Sequence, residues 1–223
     1  MSVLNLRYFN PPSVLISLFR LQIRAMASLY DIKPRFQAVL RPTVERLAHA
    51  GVRANAVTVA ALALSVAYGL CLAIWPFSTV LLLGLPVILL ARMALNAVDG
   101  MLAREHDQKT RLGMVLNELG DLVSDAALYL PLAVSFAAPA WMMVVLVVLA
   151  MIGEAVGLMG PALGNERRYD GPFGKADRAL AFGALAILTT FGWATWTWVP
   201  VVLGVAIALA VATVVNRARK VMA

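Results

Sequence analysis

STVLLLGLPVILLARMALNAVDGMLAREHDQKTRLGMVLNELGDLVSD, residues 78–125, is the stretch that decides the fold. It opens as an apolar run, then from Arg92 onward carries polar side chains at helical spacing, turns through a basic connection, and resumes as a second helical pattern. At 100° per residue Arg92, Asn96, Asp99 and Ala103 fall in one narrow stripe, and Gly113, Asn117, Asp121 and Asp125, stepping by four, drift slowly around one face of the next helix. The connection at 104–110 is short enough to make the two helices antiparallel neighbours whose polar stripes face each other. Carboxylates and amides set into apolar helices are expensive to bury in hydrocarbon, so they mark where function is to be sought.

The rest of the chain supports a membrane setting. Of 223 residues 61% are hydrophobic and only 14% charged, too little polar surface to cover a soluble core of this size; the mean hydropathy is +0.82. Six apolar stretches are long enough to span a bilayer at roughly 20 residues each: 56–76, 78–103, 111–136, 140–163, 176–197 and 199–216. The predicted fold class is therefore all-α, a polytopic membrane protein of six transmembrane helices. Residues 31–53 alternate Asp31, Lys33, Arg35, Arg41, Glu45 and Arg46 with Ile32, Phe36, Val39, Leu40, Val44 and Leu47, the pattern of an amphipathic helix in the headgroup layer. Residues 1–25 lack a signal-cleavage pattern, and Met26 begins a second start, so they read as an interfacial helix or a misassigned extension. The organisation is thus 1–25 extension, 26–54 amphipathic juxtamembrane segment, and 55–223 transmembrane domain.

Charge sets the orientation. Arg104, Lys109 and Arg111, then Arg167, Arg168, Lys175 and Arg178, then Arg217, Arg219 and Lys220 fall on one side, and Arg92 alone departs from that side. The opposite loops at Trp75-Pro76-Phe77, Pro139-Ala140-Trp141 and Trp196-Thr197-Trp198 are uncharged and aromatic. That asymmetry places the basic side and both termini in the cytoplasm, with the lipid bilayer as the first partner. The net charge of +7 follows the loops and not a nucleic-acid motif, so no nucleic-acid partner is expected. One cysteine, Cys71, and two histidines, His49 and His106, exclude a disulfide framework and a Cys- or His-based metal site.

Oxygen-only ligands suit hard cations such as Mg²⁺ or Mn²⁺, and such ions beside helix-borne carboxylates are a common way to handle a diphosphate. The candidate ligands in the facing stripes are Asp99, Asp121, Asn96 and Asn117, with Asp125 and Glu118 as further members of the set. Glu154 lies in the fourth span, as a cavity group or a proton-bearing packing residue. A second basic cluster, 166–178, places Lys175 and Arg178 on the first turn after Gly171, Pro172 and Gly174, where a phosphate can be bound. The plainer readings are that Asp99 and Asp121 pair internally with Arg92 or Arg104, and that Lys175 and Arg178 merely mark the cytoplasmic side.

Residues 96–121 resemble the signature of the CDP-alcohol phosphatidyltransferase family, Asp-x2-Asp-Gly-x2-Ala-Arg-x8-Gly-x3-Asp-x3-Asp. Six of its eight positions match without a gap, Asp99, Gly100, Ala103, Arg104, Gly113 and Asp121; Asn96 and Asn117 replace the first and third aspartates. An Asn55-x-x-Thr58 pair opening the first span adds to the likeness, although Ala54 stands where the family has proline. The resemblance implies transfer of a phosphatidyl group from CDP-diacylglycerol, or a similar CDP-lipid, to an alcohol acceptor, with release of CMP in phospholipid biosynthesis. It further implies one or two Mg²⁺ or Mn²⁺ ions, Asp99 as a ligand and Asp121 as ligand and general base. Gly100, Ala103, Arg104, Gly113, Asn55 and Thr58 would line the CDP site, and Lys175 and Arg178 would hold an acceptor's phosphate. A homodimer in a bacterial inner membrane completes that expectation. The alternatives are a family member that binds CDP-lipid with impaired catalysis, as the two asparagines favour, and a transporter using intramembrane carboxylates.

Overall fold

Long apolar runs leave the backbone no partners but its own, and a helix satisfies them all. In a computed structural model that describes residues 34–223, every regular element is helical. They are α1 (residues 34–49), α2 (Ala54–Ile74), α3 (Thr79–Glu105), α4 (Arg111–Tyr129), α5 (Leu132–Ser135), α6 (Ala140–Ala162), α7 (Lys175–Thr190) and α8 (Val199–Met222). The chain divides at Pro42 into two units, and the site described below lies wholly in the second, Thr43–Ala223. The extension 1–25 and the start of the juxtamembrane segment lie outside the described residues.

In α1 the pattern is amphipathic: Phe36, Leu40, Val44 and Leu47, three or four apart, are the less exposed positions, while Arg35, Arg41, Glu45 and Arg46 are exposed. Four helices, α2, α3, α6 and α8, are long and apolar enough to cross a membrane. The third and fifth expected runs differ. Run 111–136 is divided into α4 and α5 at Leu130 and Pro131, since proline has no N–H to continue the ladder. Run 176–197 stops at Thr190, and Gly192, at φ 73°, turns the chain toward α8.

Helix starts are set by side-chain caps where the cleft will form. Thr110 Oγ1 accepts from Gly113 N at 2.8 Å and begins α4. Asp177 Oδ2 accepts from Gly174 N at 2.8 Å at the head of α7.

α2 packs on α3 and α4, α3 on α7, α4 on α6, and α6 on α8. At Gly69 a Cβ would run into the carbonyl of Ala127, so α2 and α4 meet backbone to backbone. Leu85, Leu128, Tyr129, Leu132, Met143, Leu146, Phe182 and Leu203 fill the centre, and the rings of Tyr129 and Phe182 meet edge to face at 4.8 Å. Val80, Val87, Leu90, Leu180 and Val201 face outward and exposed, as a hydrocarbon-facing surface requires.

The two ends of the bundle differ in chemistry. Around the loop from α2 to α3, Trp75 and Phe77 are exposed and Ser135 Oγ donates to Pro76 O at 2.6 Å. The opposite end is polar: Ala54 N donates to Gln108 Oε1 at 2.7 Å, Asn165 Nδ2 to Val221 O at 2.9 Å, and Lys220 Nζ to Asp170 Oδ1 at 2.7 Å.

Candidate active site

At the polar end the start of α2, the end of α3 and the start of α4 enclose a cleft of about 670 Å³. Asn55 and Thr58 line it from α2, and Asn96, Asp99, Gly100, Ala103 and Arg104 from α3. Arg111, Gly113, Asn117 and Glu118 line it from α4, with Lys109 and Thr110 from the preceding turn. Five of the six matched signature positions therefore open into one cavity, together with the Asn55 and Thr58 pair.

The cleft's shape depends on two glycines and a threonine. A Cβ on Gly113 would overlap Asn55 Oδ1 and stand 2.8 Å from Thr110 Oγ1, so the cap and the Asn55 contact need a bare backbone there. A Cβ on Gly100 would stand 3.1 Å from Arg104 Nη1, which shows the guanidinium folded back over the glycine. Asp99, 4% exposed, accepts from Thr58 Oγ1 at 2.7 Å, a bond that fixes its carboxylate across the α2–α3 interface. Gln108 clamps the α3–α4 turn to the head of α2 by accepting from Ala54 N and donating to Val52 O at 3.4 Å.

Asp121, the sixth position, is joined to the cleft through Asn96. Its Oδ1 accepts from Asn96 Nδ2 at 2.7 Å, from Lys175 Nζ at 2.5 Å and from Arg92 Nη2 at 3.2 Å. Oδ2 takes no hydrogen bond among the described residues. Behind Asp121 runs a buried charge ladder. Arg92 Nη1 donates to Asp125 Oδ1 at 2.6 Å, and Arg178 Nη2 donates to Asp125 Oδ2 at 2.8 Å. Arg178 also lies 3.5 Å from Glu154 Oε1, which Arg217 Nη1 approaches at 3.3 Å. Arg167 pairs with Glu118 and lies 3.8 Å from Glu154. Arg92, Asp125, Arg178 and Arg217 are each 4% exposed or less, and intramembrane charges of this kind persist only when paired.

The structure thus brings together Asn96, Asp99, Asn117, Glu118, Gly100, Ala103, Arg104, Gly113, Asn55 and Thr58. Asp125 stands apart, because both of its oxygens are held by guanidinium groups. Lys175 and Arg178 bind carboxylates of the chain itself. The plainer reading of Asp121, an internal pair with Arg92, describes one of its three donors. Glu154 is a bridge among three arginines.

Sequence reasoning missed Gln108, the contact of Arg92 with Asp125 and the role of Arg217. The isolated position of Arg92 among uncharged residues was the available signal, since such a cation needs a buried partner. For Arg217 the signal was Gly153, Gly157 and Gly160 on α6. A Cβ on Gly157 would meet the carbonyl of Arg168 and one on Gly160 that of Glu166, so the segment after α6 lies directly on the helix. Arg217 ties that segment down through Tyr169 O at 3.3 Å and Asp170 O at 3.1 Å.

No protein-family model matches the chain. Two solved structures of Mycobacterium tuberculosis phosphatidylinositol phosphate synthase (PgsA1) share its fold at 23% identity. One, with CDP-DAG bound, has a TM-score of 0.66 and matches over 81% of this chain and 92% of that one. The other, in complex with manganese and citrate, has a TM-score of 0.67 over 81% and 88%. The chain therefore shares the fold of that phosphatidylinositol phosphate synthase. Inner membrane protein YnbA of Escherichia coli (strain K12) is 45% identical over 197 residues, 87% of this chain and 96% of the relative, and the chain belongs to the same family.

Proposed function

We propose that the chain transfers a phosphatidyl group from CDP-diacylglycerol, or a similar CDP-lipid, to an alcohol, with release of CMP. The observation that carries this reading is the convergence of Asp99, Gly100, Ala103, Arg104 and Gly113 on one cleft, linked by Asn96 to Asp121. The CDP-DAG-bound and manganese-bound structures of the fold neighbour support it, as does the inner-membrane name of the relative.

In this reading the CDP moiety occupies the cleft between Asn55, Thr58, Gly100, Ala103 and Gly113. Arg104, Lys109 and Arg111 offer cations to its diphosphate. The acceptor hydroxyl lies against Asp121, whose Oδ2 takes the proton while Asn96, Lys175 and Arg92 hold Oδ1 in place. As the new bond from hydroxyl oxygen to the lipid-side phosphorus forms, the bond from that phosphorus to the bridging oxygen breaks, and its electron pair leaves on CMP. Positioning and charge stabilisation supply most of the rate.

The donor set fits one hard cation held by Asp99 through its carboxylate and by Asn96 and Asn117 through amide oxygens, with Asp121, its Oδ1 held by three donors and its Oδ2 serving as base, beside it. Among the described residues no three His, Cys, Asp or Glu side chains form a metal-holding group. Lys175 and Arg92 already bring positive charge to Asp121, which disfavours a second ion. Bound there, Mg²⁺ or Mn²⁺ would neutralise developing phosphate charge. Asp125, held on both oxygens, serves the scaffold, and Glu118 serves through Arg167.

The same reading takes α4 with α5, and α7, as the third and fifth of six spans, both termini as cytoplasmic, and the inner membrane as the location. It keeps 1–25 as an extension, 26–54 as the interfacial segment and 55–223 as the catalytic domain, working as a homodimer. The alternative that Asn96 and Asn117 favour is a CDP-lipid binder with impaired catalysis. CMP release from CDP-diacylglycerol by purified protein, with Mg²⁺ or Mn²⁺ against EDTA, separates the two. The transferase predicts metal-dependent release that Asp121→Asn lowers about 10²–10⁴-fold. Equal release by both proteins would refute the assignment of Asp121.

A further inference from the structure

We infer that Gln108 is a positioning residue for the CDP moiety: from the α3–α4 turn it caps the head of α2 and so sets Asn55 and Thr58 in the cleft. The ligand it names rests on the transferase reading above. The first N–H groups of a helix have no partner within the helix. The N-cap residue of α2 is Arg53, whose side chain makes no cap hydrogen bond. Ala56 N and Val57 N donate to Arg53 O at 2.9 and 3.3 Å. The N–H of Ala54, a residue only 4% exposed, donates instead to Gln108 Oε1 at 2.7 Å. The cap of α2 thus comes from a side chain 54 residues away.

The other end of the same amide donates to Val52 O at 3.4 Å, so one side chain holds both flanks of the step into α2. In the turn that carries Gln108, Asp107 has φ 53°, the only positive value outside glycine among the described residues. Aspartate tolerates this left-handed backbone at some cost, and here it lies immediately before Gln108. Two places on, Thr110 Oγ1 caps α4 and accepts from Asn55 Nδ2 at 3.2 Å. One short turn therefore caps two helices that line the cleft, α2 through Gln108 and α4 through Thr110. Ala54 also connects inward, because Thr58 Oγ1 lies 3.1 Å from Ala54 O and 2.7 Å from Asp99 Oδ2. Gln108, Ala54, Asn55 and Thr58 all line the cleft. Apart from Asp99, every group in this chain of contacts is neutral, so a bound cation or diphosphate has no charge to displace there.

The departure at Ala54 gives the clamp its reason. Ala54 stands where the family of the signature has proline, which has no N–H to leave unpaired. The backbone still has the form of a step into proline: Arg53 is extended at φ −87° and ψ 141°, the region that a following proline demands. With alanine in that place the chain carries a buried donor, and Gln108 supplies its acceptor.

The test measures CDP-diacylglycerol binding by calorimetry on the purified full chain in micelles. Beside it runs the metal-supported CMP-release assay with a panel of alcohol acceptors: glycerol, glycerol 3-phosphate, inositol and serine. Loss of one neutral hydrogen bond predicts ~3- to 10-fold weaker binding in Gln108→Ala and a matching rise in KM for CDP-diacylglycerol, with KM for the acceptor unchanged. Ala54→Pro puts ring atoms where the Gln108 amide sits, and it too should weaken binding. The double variant has neither the unpaired donor nor the obstructing amide, so it is expected to bind more tightly than either single variant. Affinity of Gln108→Ala within ~2-fold of wild type overturns the inference. So does an equal loss on the donor and acceptor sides with no recovery in the double variant, which is general destabilisation. Wild-type protein that binds CDP-diacylglycerol but releases no CMP removes the transferase reading, while the binding arm still decides the role of Gln108. Wild-type protein that does not bind CDP-diacylglycerol removes both.

Discussion

Replacing Arg92 with methionine removes the one cation among the described residues that pairs with both Asp121 and Asp125. Its guanidinium lies 2.6 Å from Asp125 Oδ1, 3.2 Å from Asp121 Oδ1 and 3.1 Å from the Asp121 carbonyl, and the side chain is 3% exposed. Breaking a buried ion pair by deleting one partner costs about 3–5 kcal/mol. Asp125 keeps Arg178 at 2.8 Å, and Asp121 keeps Lys175 and Asn96, so the loss belongs at the lower end, about 3 kcal/mol. For a chain of this length that is a fall in Tm of roughly 6–12 °C. Unfolding of the purified protein in mixed micelles, followed by helical circular dichroism, reads it. The partner variant Asp125→Asn and the double variant complete a thermodynamic cycle, in which the double variant should cost less than the sum by about 1–3 kcal/mol. An Arg92→Met protein within ~0.5 kcal/mol of wild type, or strict additivity in the cycle, would refute the claim that this ladder holds the site together.

Thr58→Val removes the hydroxyl that donates to Asp99 while keeping the shape of the side chain. A hydrogen bond to a charged group is worth ~1.5–3 kcal/mol, so CDP-lipid binding by calorimetry should weaken roughly 10- to 150-fold, and unchanged affinity would detach Asp99 from the cleft. Gly113→Ala pushes a methyl against Asn55 and Thr110; loss of the α4 cap should cost about 1–2 kcal/mol of stability and CDP-lipid binding should fall with it. A fully active Gly113→Ala protein would contradict the packing described. Outside the spans, the hydrogen bond from Lys220 holds the Asp170 carboxyl below its ordinary value. That stabilisation is present above the unfolded aspartate value of ~3.9 and is lost as pH falls through the lower folded value. Both groups are substantially solvated, so a small acid-limb loss is expected in wild type and should vanish in Lys220→Met; identical pH–stability curves would refute the link.

The apolar runs and the polar stripes were legible because each depends on one helix at a time. The spacing of Arg92, Asn96 and Asp99 against Gly113, Asn117 and Asp121 placed those residues on facing sides, and Asn96 does meet Asp121. The partners of the charges were not legible. Whether Asp121 pairs with Arg92 or stays open depends on where the head of α7 arrives, and Lys175 reaches it across 54 residues of chain. The same path carries Arg178 to Asp125, a contact that the chain spacing alone does not specify. Pro131 held the information that the third run breaks, but run length alone concealed it. The strap on α6 was written in the glycines at 153, 157 and 160, which identify a close approach without naming the segment that makes it.

The most direct test of the central claim follows the phosphatidyl group itself. CDP-diacylglycerol labelled in its acyl chains is incubated with the protein, metal and the acceptor panel, and lipid products and CMP are quantified together. The account predicts equimolar CMP and a new phospholipid that carries the label and the acceptor. Protein that retains bound CDP-diacylglycerol yet yields neither product, with any acceptor or ion, would contradict it.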